Sequence, residues 1–180
     1  HPLIDAIADR EQVSEVAFRK EFNLGEKPII ALLPGSRKQE ITKMLSVMLS
    51  LVNDFKEYQF VIAGAPSQPF AFYKQFINNS NVQFINNKTY DLLSVSTAAL
   101  VTSGTATLET ALFKVPQVVC YKGSAISYQI AKRIITLKFI SLVNLIMDKE
   151  VVKELIQKDF TKQNVKLELA NILKEATRKR

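Results

Sequence analysis

Two turns in this sequence set a glycine among cations or hydroxyls where an apolar run gives way to a helical pattern. In the first, Leu33-Pro34-Gly35-Ser36-Arg37-Lys38-Gln39-Glu40, Gly35 lets the backbone come close to a ligand. Ser36 and Gln39 have capping-box spacing, so Ser36 is expected to cap the helix that Ile41 continues. Arg37 and Lys38 add cations to a helix N-terminus, which already attracts anions and whose first turn ordinarily favours acids. The chemistry implied is contact with phosphate; a capped helix with two solvated cations is the alternative. The second turn, Thr102-Ser103-Gly104-Thr105-Ala106-Thr107-Leu108-Glu109, presents small hydroxylated residues and backbone N–H groups suited to a pyrophosphate. Glu109 lies four residues past Thr105, one turn deeper on the same helix face. A carboxylate there could accept hydrogen bonds from both hydroxyls of a ribose while Ser103, Gly104 and Thr105 hold the phosphates.

Other polar residues sit beside apolar runs. In Tyr121-Lys122-Gly123-Ser124, Lys122 is either a cation for phosphate or a surface lysine. In Ile140-Ser141-Leu142-Val143-Asn144-Leu145-Ile146, Asn144 is either a satisfied buried amide or a ligand contact. The aromatic cluster Phe70, Phe72, Tyr73 and Phe76 after Pro69 reads as helix packing rather than base stacking. Cys120, the single cysteine, falls in an apolar run and reads as a buried strand thiol rather than a nucleophile. With one histidine, at position 1, a zinc site lacks its ligands, so neither metal nor cofactor is expected.

The elements that must position these turns follow from hydrophobic periodicity. Apolar runs at 29–33, 60–63, 82–85, 98–102 and 117–121 read as strands. Ile41, Met44, Leu45, Met48, Leu49 and Val52 trace one face of a helix. Further helical patterns follow Pro69 and cover 105–113, 126–137 and 151–156, with a last one through Val165, Leu169, Ile172, Leu173 and Ala176. Strands apolar on both faces, each followed by a helix, imply an α/β domain with a doubly wound parallel sheet of five or six strands. Ligands of such sheets bind beyond the C-terminal strand ends, where both turns lie.

Composition narrows the rest. The 180 residues make one domain, with 156–180 read as a C-terminal helical tail. A net charge of +7 favours an anionic partner, although the run 174–180 contributes four cations against one acid. No zinc finger, aromatic RNA-binding signature or polybasic DNA arm is present, so nucleic acid is not the expected partner. No apolar run reaches the roughly 18–20 residues of a spanning helix. His1-Pro2-Leu3 lacks an initiator Met and a signal-peptide pattern, and the chain reads as a fragment or processed product.

Taken jointly and in order, Leu32 to Arg37, Ser103 to Glu109, Pro116-Gln117-Val118-Val119 with Tyr121-Lys122, and Ile140 to Leu145 resemble the lipid-A-disaccharide synthase family from residue 2 to about 155. The resemblance implies a GT-B glycosyltransferase fold of two Rossmann-like domains, of which this chain is the C-terminal, nucleotide-sugar-binding one. It implies an inverting transfer of 2,3-diacylglucosamine from its UDP donor to 2,3-diacylglucosamine 1-phosphate. Carried over motif by motif, Glu109 takes the ribose, Arg37 and Asn144 stand in blocks associated with activity, and Gly35, Ser36, Ser103, Gly104, Thr105 and Lys122 belong to the donor site. By fold analogy uracil meets the backbone at 86–89. The lipid acceptor site and the general base belong to an absent N-terminal domain, so the chain alone is expected to bind without catalysing. A cytoplasmic address, peripheral contact with the inner membrane and a homodimer are compatible with this family. A UDP-N-acetylglucosamine 2-epimerase-like domain, another GT-B domain and a non-enzymatic nucleotide-binding module are the alternatives.

Overall fold

In the computed structural model of the chain, residues 2–78, 81–123 and 139–178 are described; Ser124 and the pattern at 126–137 lie outside them. Six strands form one parallel sheet: β1 (Ile29–Leu33), β2 (Gln59–Gly64), β3 (Val82–Asn86), β4 (Ala98–Thr102), β5 (Gln117–Tyr121) and β6 (Lys153–Ile156). Their order is β3-β2-β1-β4-β5-β6. The winding direction reverses between β1 and β4, so a crevice opens there at the C-terminal strand ends.

Strand parity explains the layers, because successive side chains point to opposite faces. Ile30, Leu32, Phe60, Ile62, Leu100, Val118 and Cys120 enter one core; Ile29, Ala31, Leu33, Val61, Ala63, Ala99 and Val101 enter the other. The described helices are α1 (Pro2–Ala8), α2 (Glu15–Glu21), α3 (Lys38–Leu49), α4 (Phe70–Lys74), α5 (Thr89–Ser94), α6 (Thr105–Leu112), α7 (Leu142–Met147) and α8 (Lys162–Arg178). The expected face of α3 is buried at Ile41, Met44, Leu45 and Met48. On the same side, α8 inserts Val165, Leu169 and Leu173. Ile156 ends β6, and the helix α8 that follows closes one core.

Residues 151–156 are a correction. Their apolar spacing reads as helix, yet Lys153–Ile156 pairs with β5 from Val118 to Tyr121. Extending the sheet satisfies the backbone groups along β5, and that demand overrides a short periodic pattern. Cys120 lies fully buried in β5, and burial pushes its thiol far above the usual range, so it stays protonated. Among the described residues no helix is long and apolar enough to cross a membrane.

Candidate functional site

At the switch point a cleft of about 740 Å³ is lined by Leu33, Gly35, Ser36, Arg37, Glu40, Ala63 to Pro66, Thr89, Thr102 to Ala106, Glu109 and Tyr121. Both glycine turns and the C-terminal ends of four strands meet in it.

The first turn folds differently from its capping-box reading. The N-cap of α3 is Arg37, and no side chain caps the helix there. Because α3 starts one residue later than the pattern suggests, the acid of its first turn, Glu40, reaches back beyond the cap. Its Oε1 accepts the Ser36 N–H at 3.0 Å. Gly35 has φ +105°, and a Cβ there would overlap the Glu40 carboxyl group, so both conformation and space require glycine. The Ser36 carbonyl accepts from Ser67 Oγ at 3.0 Å and Gln68 Nε2 at 3.3 Å, which ties the turn to the loop after β2. Arg37 is exposed, and its side chain has no hydrogen-bond or ion-pair partner among the described residues.

The second turn enters α6 through Gly104, at φ +154° and ψ −164°, a region open in practice to glycine alone. Here too no side chain caps the helix. The Ser103 N–H is already used, donating to the Cys120 carbonyl at 2.9 Å. Among the described residues the first N–H groups without a partner therefore begin at Gly104, not Ser103. Thr107 Oγ1 donates to the Gly104 carbonyl at 2.8 Å and fixes the turn from behind. On the cleft floor Thr102 is 3% exposed, and its hydroxyl lacks a partner among the described residues. A buried hydroxyl left unpaired costs on the order of 1–3 kcal/mol, which a ligand or water there would relieve.

Glu109 stands half-buried one turn below this N-terminus. Burial raises its carboxyl above the usual carboxylate range, while a hydrogen bond from Tyr90 pulls it partly back. It also lines an adjoining cleft of about 450 Å³ with Arg10, Pro66, Asn87, Lys88, Thr89, Tyr90 and Asp91. Arg10 pairs with Asp91 and lies 5.5 Å from the Phe113 ring, which packs 5.5 Å from Tyr90. Sequence reasoning missed Arg10, Tyr90 and Asp91, since Arg10 and Asp91 are 81 positions apart and no local spacing links them.

Gly35, Ser36, Arg37, Ser103, Gly104, Thr105 and Glu109 thus share one cleft. Lys122 is exposed on a small neighbouring recess. Asn144 lines neither. It is fully buried, and its amide donates to the Val152 carbonyl (2.8 Å) and Glu154 Oε2 (2.9 Å) and accepts from the Val151 and Val152 N–H groups (2.7 and 3.0 Å). Glu154, unread in the sequence, also accepts from the Ile140 and Ser141 N–H groups. All four hydrogen-bonding positions of the Asn144 amide are filled by its own fold, the first of the two readings its sequence allowed. Asn144→Ala is expected to destabilise the chain by about 1–3 kcal/mol through the groups it strands. Urea unfolding checks this; an unchanged midpoint would contradict the structural role. Among the described residues no three His, Cys, Asp or Glu side chains gather where they could hold a metal ion.

Comparison with known proteins agrees with this geometry. A family model described as lipid-A-disaccharide synthetase matches residues 1–180. Curated relatives match at 31–37% identity. One is the lipid-A-disaccharide synthase of Coxiella burnetii (strain Dugway 5J108-111), 35% identical over 178 residues, covering 96% of this chain and 46% of the relative. The chain spans about half the length of the curated relatives it matches. Among solved structures, the ADP-heptose LPS heptosyltransferase II of E. coli aligns with TM-score 0.60 at 16% identity, over 92% of this chain and 54% of that one. The S. aureus MnaA–UDP co-structure aligns with TM-score 0.62 at 15% identity, over 95% and 43%. Such likenesses establish a Rossmann-like half of the GT-B type as the fold.

Proposed function

The chain belongs to the lipid-A-disaccharide synthetase family, and from that premise we propose that it is the donor-binding half of an inverting glycosyltransferase. The reaction moves 2,3-diacylglucosamine from UDP to 2,3-diacylglucosamine 1-phosphate and releases UDP. The observation that carries the reading is two helix N-termini, both without side-chain caps, facing one cleft that also holds Glu109.

The chemistry follows from charge. When the glycosidic bond to the donor breaks, negative charge develops on the departing β-phosphate. The N–H groups of Gly104 and Thr105, at the positive end of α6, and the Arg37 guanidinium at the start of α3 are placed to receive it. The two backbone turns are fixed before substrate arrives, Gly104 by Thr107 and Gly35–Ser36 by Glu40, while the Arg37 side chain stays exposed at the cleft. Such preorganised donors need little rearrangement as charge builds. Glu109 accepts the ribose hydroxyls, and the adjoining cleft beside Asn87 to Tyr90 takes the uracil. The lipid acceptor and the general base belong to another part of the protein, which works at the cytoplasmic face of the inner membrane.

Titrating the 180-residue chain with UDP and ATP tests the assignment. Saturable UDP binding, with ATP weaker by at least about tenfold (roughly 1.4 kcal/mol), is expected, as is no disaccharide formation from both lipid substrates. Equal affinity for ATP would overturn the donor assignment, and turnover by the chain alone would overturn the division of labour.

A further inference from the structure

Buried hydroxyls among the described residues have partners, with one exception. Thr107 and Thr110 donate to the Gly104 and Ala106 carbonyls at 2.8 and 2.7 Å. Ser141 accepts from the Asn144 N–H, and Tyr73 from the Ala65 N–H. The Thr102 hydroxyl has none, although the residue is 3% exposed. Gln117 Oε1 is also buried without a partner, but its amide already donates to the Thr107 carbonyl. Gln117 is moreover the first residue of β5, at the end of the sheet away from the cleft.

Thr102 ends β4 and lines the main cleft, beside the turn that leaves β1 and just before the Gly104 entry to α6. Strand parity puts its side chain on the face of Ala98, Leu100 and its ladder partner Cys120, in the core that α3 covers. Glu109 stands on the other side, because α6, which carries it, packs Ala106 and Phe113 against the opposite core. A nucleotide with its ribose at Glu109 runs its phosphates across the α6 N-terminus toward Arg37 and Thr102. The terminal phosphate then comes nearest to both. Among the described residues no hydrogen bond holds the Thr102 hydroxyl where it is. A χ1 step to a neighbouring staggered position turns it to an arriving oxygen.

We propose that the Thr102 hydroxyl donates a hydrogen bond to the β-phosphate and so makes the cleft prefer a nucleoside diphosphate to a monophosphate. The inference rests on the main cleft being the UDP site. A monophosphate at the same ribose position stops at the α6 N-terminus and leaves the hydroxyl unpaired. The penalty that this group imposes on the free chain is relieved when the diphosphate arrives.

The 180-residue chain and two variants are titrated with UDP and UMP and melted without ligand. Thr102→Val keeps the side chain's shape and removes the hydroxyl. It is expected to weaken UDP binding roughly tenfold, the loss of one charge-assisted hydrogen bond, and to leave UMP within about twofold. Its ligand-free melting temperature should rise by roughly 2–4 °C, because a buried group without a partner is gone. Thr102→Ser, which keeps the hydroxyl, should bind UDP within about threefold of the unaltered chain. Unchanged UDP affinity in Thr102→Val, or equal losses for UDP and UMP, overturns the proposal. So does a lower melting temperature of Thr102→Val, which would mean that the free fold already pairs the hydroxyl. If the unaltered chain binds no UDP, the donor reading falls and this inference with it; if it binds UDP and Thr102→Val matches it, this inference alone falls.

Discussion

Arg37→Ala lowers kcat of the intact enzyme with its natural donor by roughly 10²–10³, comparable to losing one preorganised donor. The size follows from where the side chain sits. Arg37 occupies the N-cap of α3, lines the cleft and makes no partner of its own among the described residues. Its charge is therefore uncommitted until a ligand arrives. As the sugar leaves, the β-phosphate gains charge and the attraction to Arg37 grows, so kcat should fall more than ground-state UDP affinity does. Arg37→Lys should recover only part, because an ammonium cannot grip two phosphate oxygens in the planar fork of a guanidinium. An exposed, unpartnered side chain holds little of the fold together, so the melting temperature should not move, and added Mg²⁺ should not rescue the loss. Near-wild-type turnover of Arg37→Ala would return Arg37 to a solvated helix cation.

Glu109→Ala weakens UDP binding by about 1.5–3 kcal/mol, the range for charge-assisted hydrogen bonds. Binding of 2′-deoxy-UDP, which lacks one of the two hydroxyls, should lose much less on the same substitution. Equal losses by calorimetry would make Glu109 a structural helix residue. The raised carboxyl of Glu109 adds a pH test, and its sign runs two ways. A carboxyl whose folded-state pKa is raised stabilises the fold most below its unfolded value and loses that contribution as pH rises through the folded one. Ribose binding instead needs the ionised form, so UDP affinity should weaken as pH falls through the raised pKa. Glu109→Gln should flatten that dependence.

The βα rhythm was legible because central parallel strands are buried on both faces and read as unbroken apolar runs, as Ile29–Leu33 and Ala98–Thr102 do. The two glycine turns were legible because close backbone approach and unusual dihedrals restrict residue type, at Gly35 and Gly104 above all. Contacts that depend on the finished sheet were not. Asn144 meets Glu154 only once β6 lies beside β5, and Lys153–Ile156 becomes a strand for the same reason. Ser36 was read as a cap because its spacing to Gln39 is right, whereas Glu40 closes the turn from one residue farther along. The ring of Arg10, Asp91, Phe113 and Tyr90 is assembled from three separate stretches of chain, which no periodicity connects.

A crystal structure of the protein with UDP bound tests the donor-site assignment most directly. The account predicts the diphosphate against the N–H groups of Gly104 and Thr105 with Arg37 in reach. It also predicts both ribose hydroxyls within about 2.6–3.2 Å of the Glu109 carboxylate, and uracil beside Asn87 to Tyr90. UDP bound outside this cleft, or seated in it with its ribose turned away from Glu109, would contradict it.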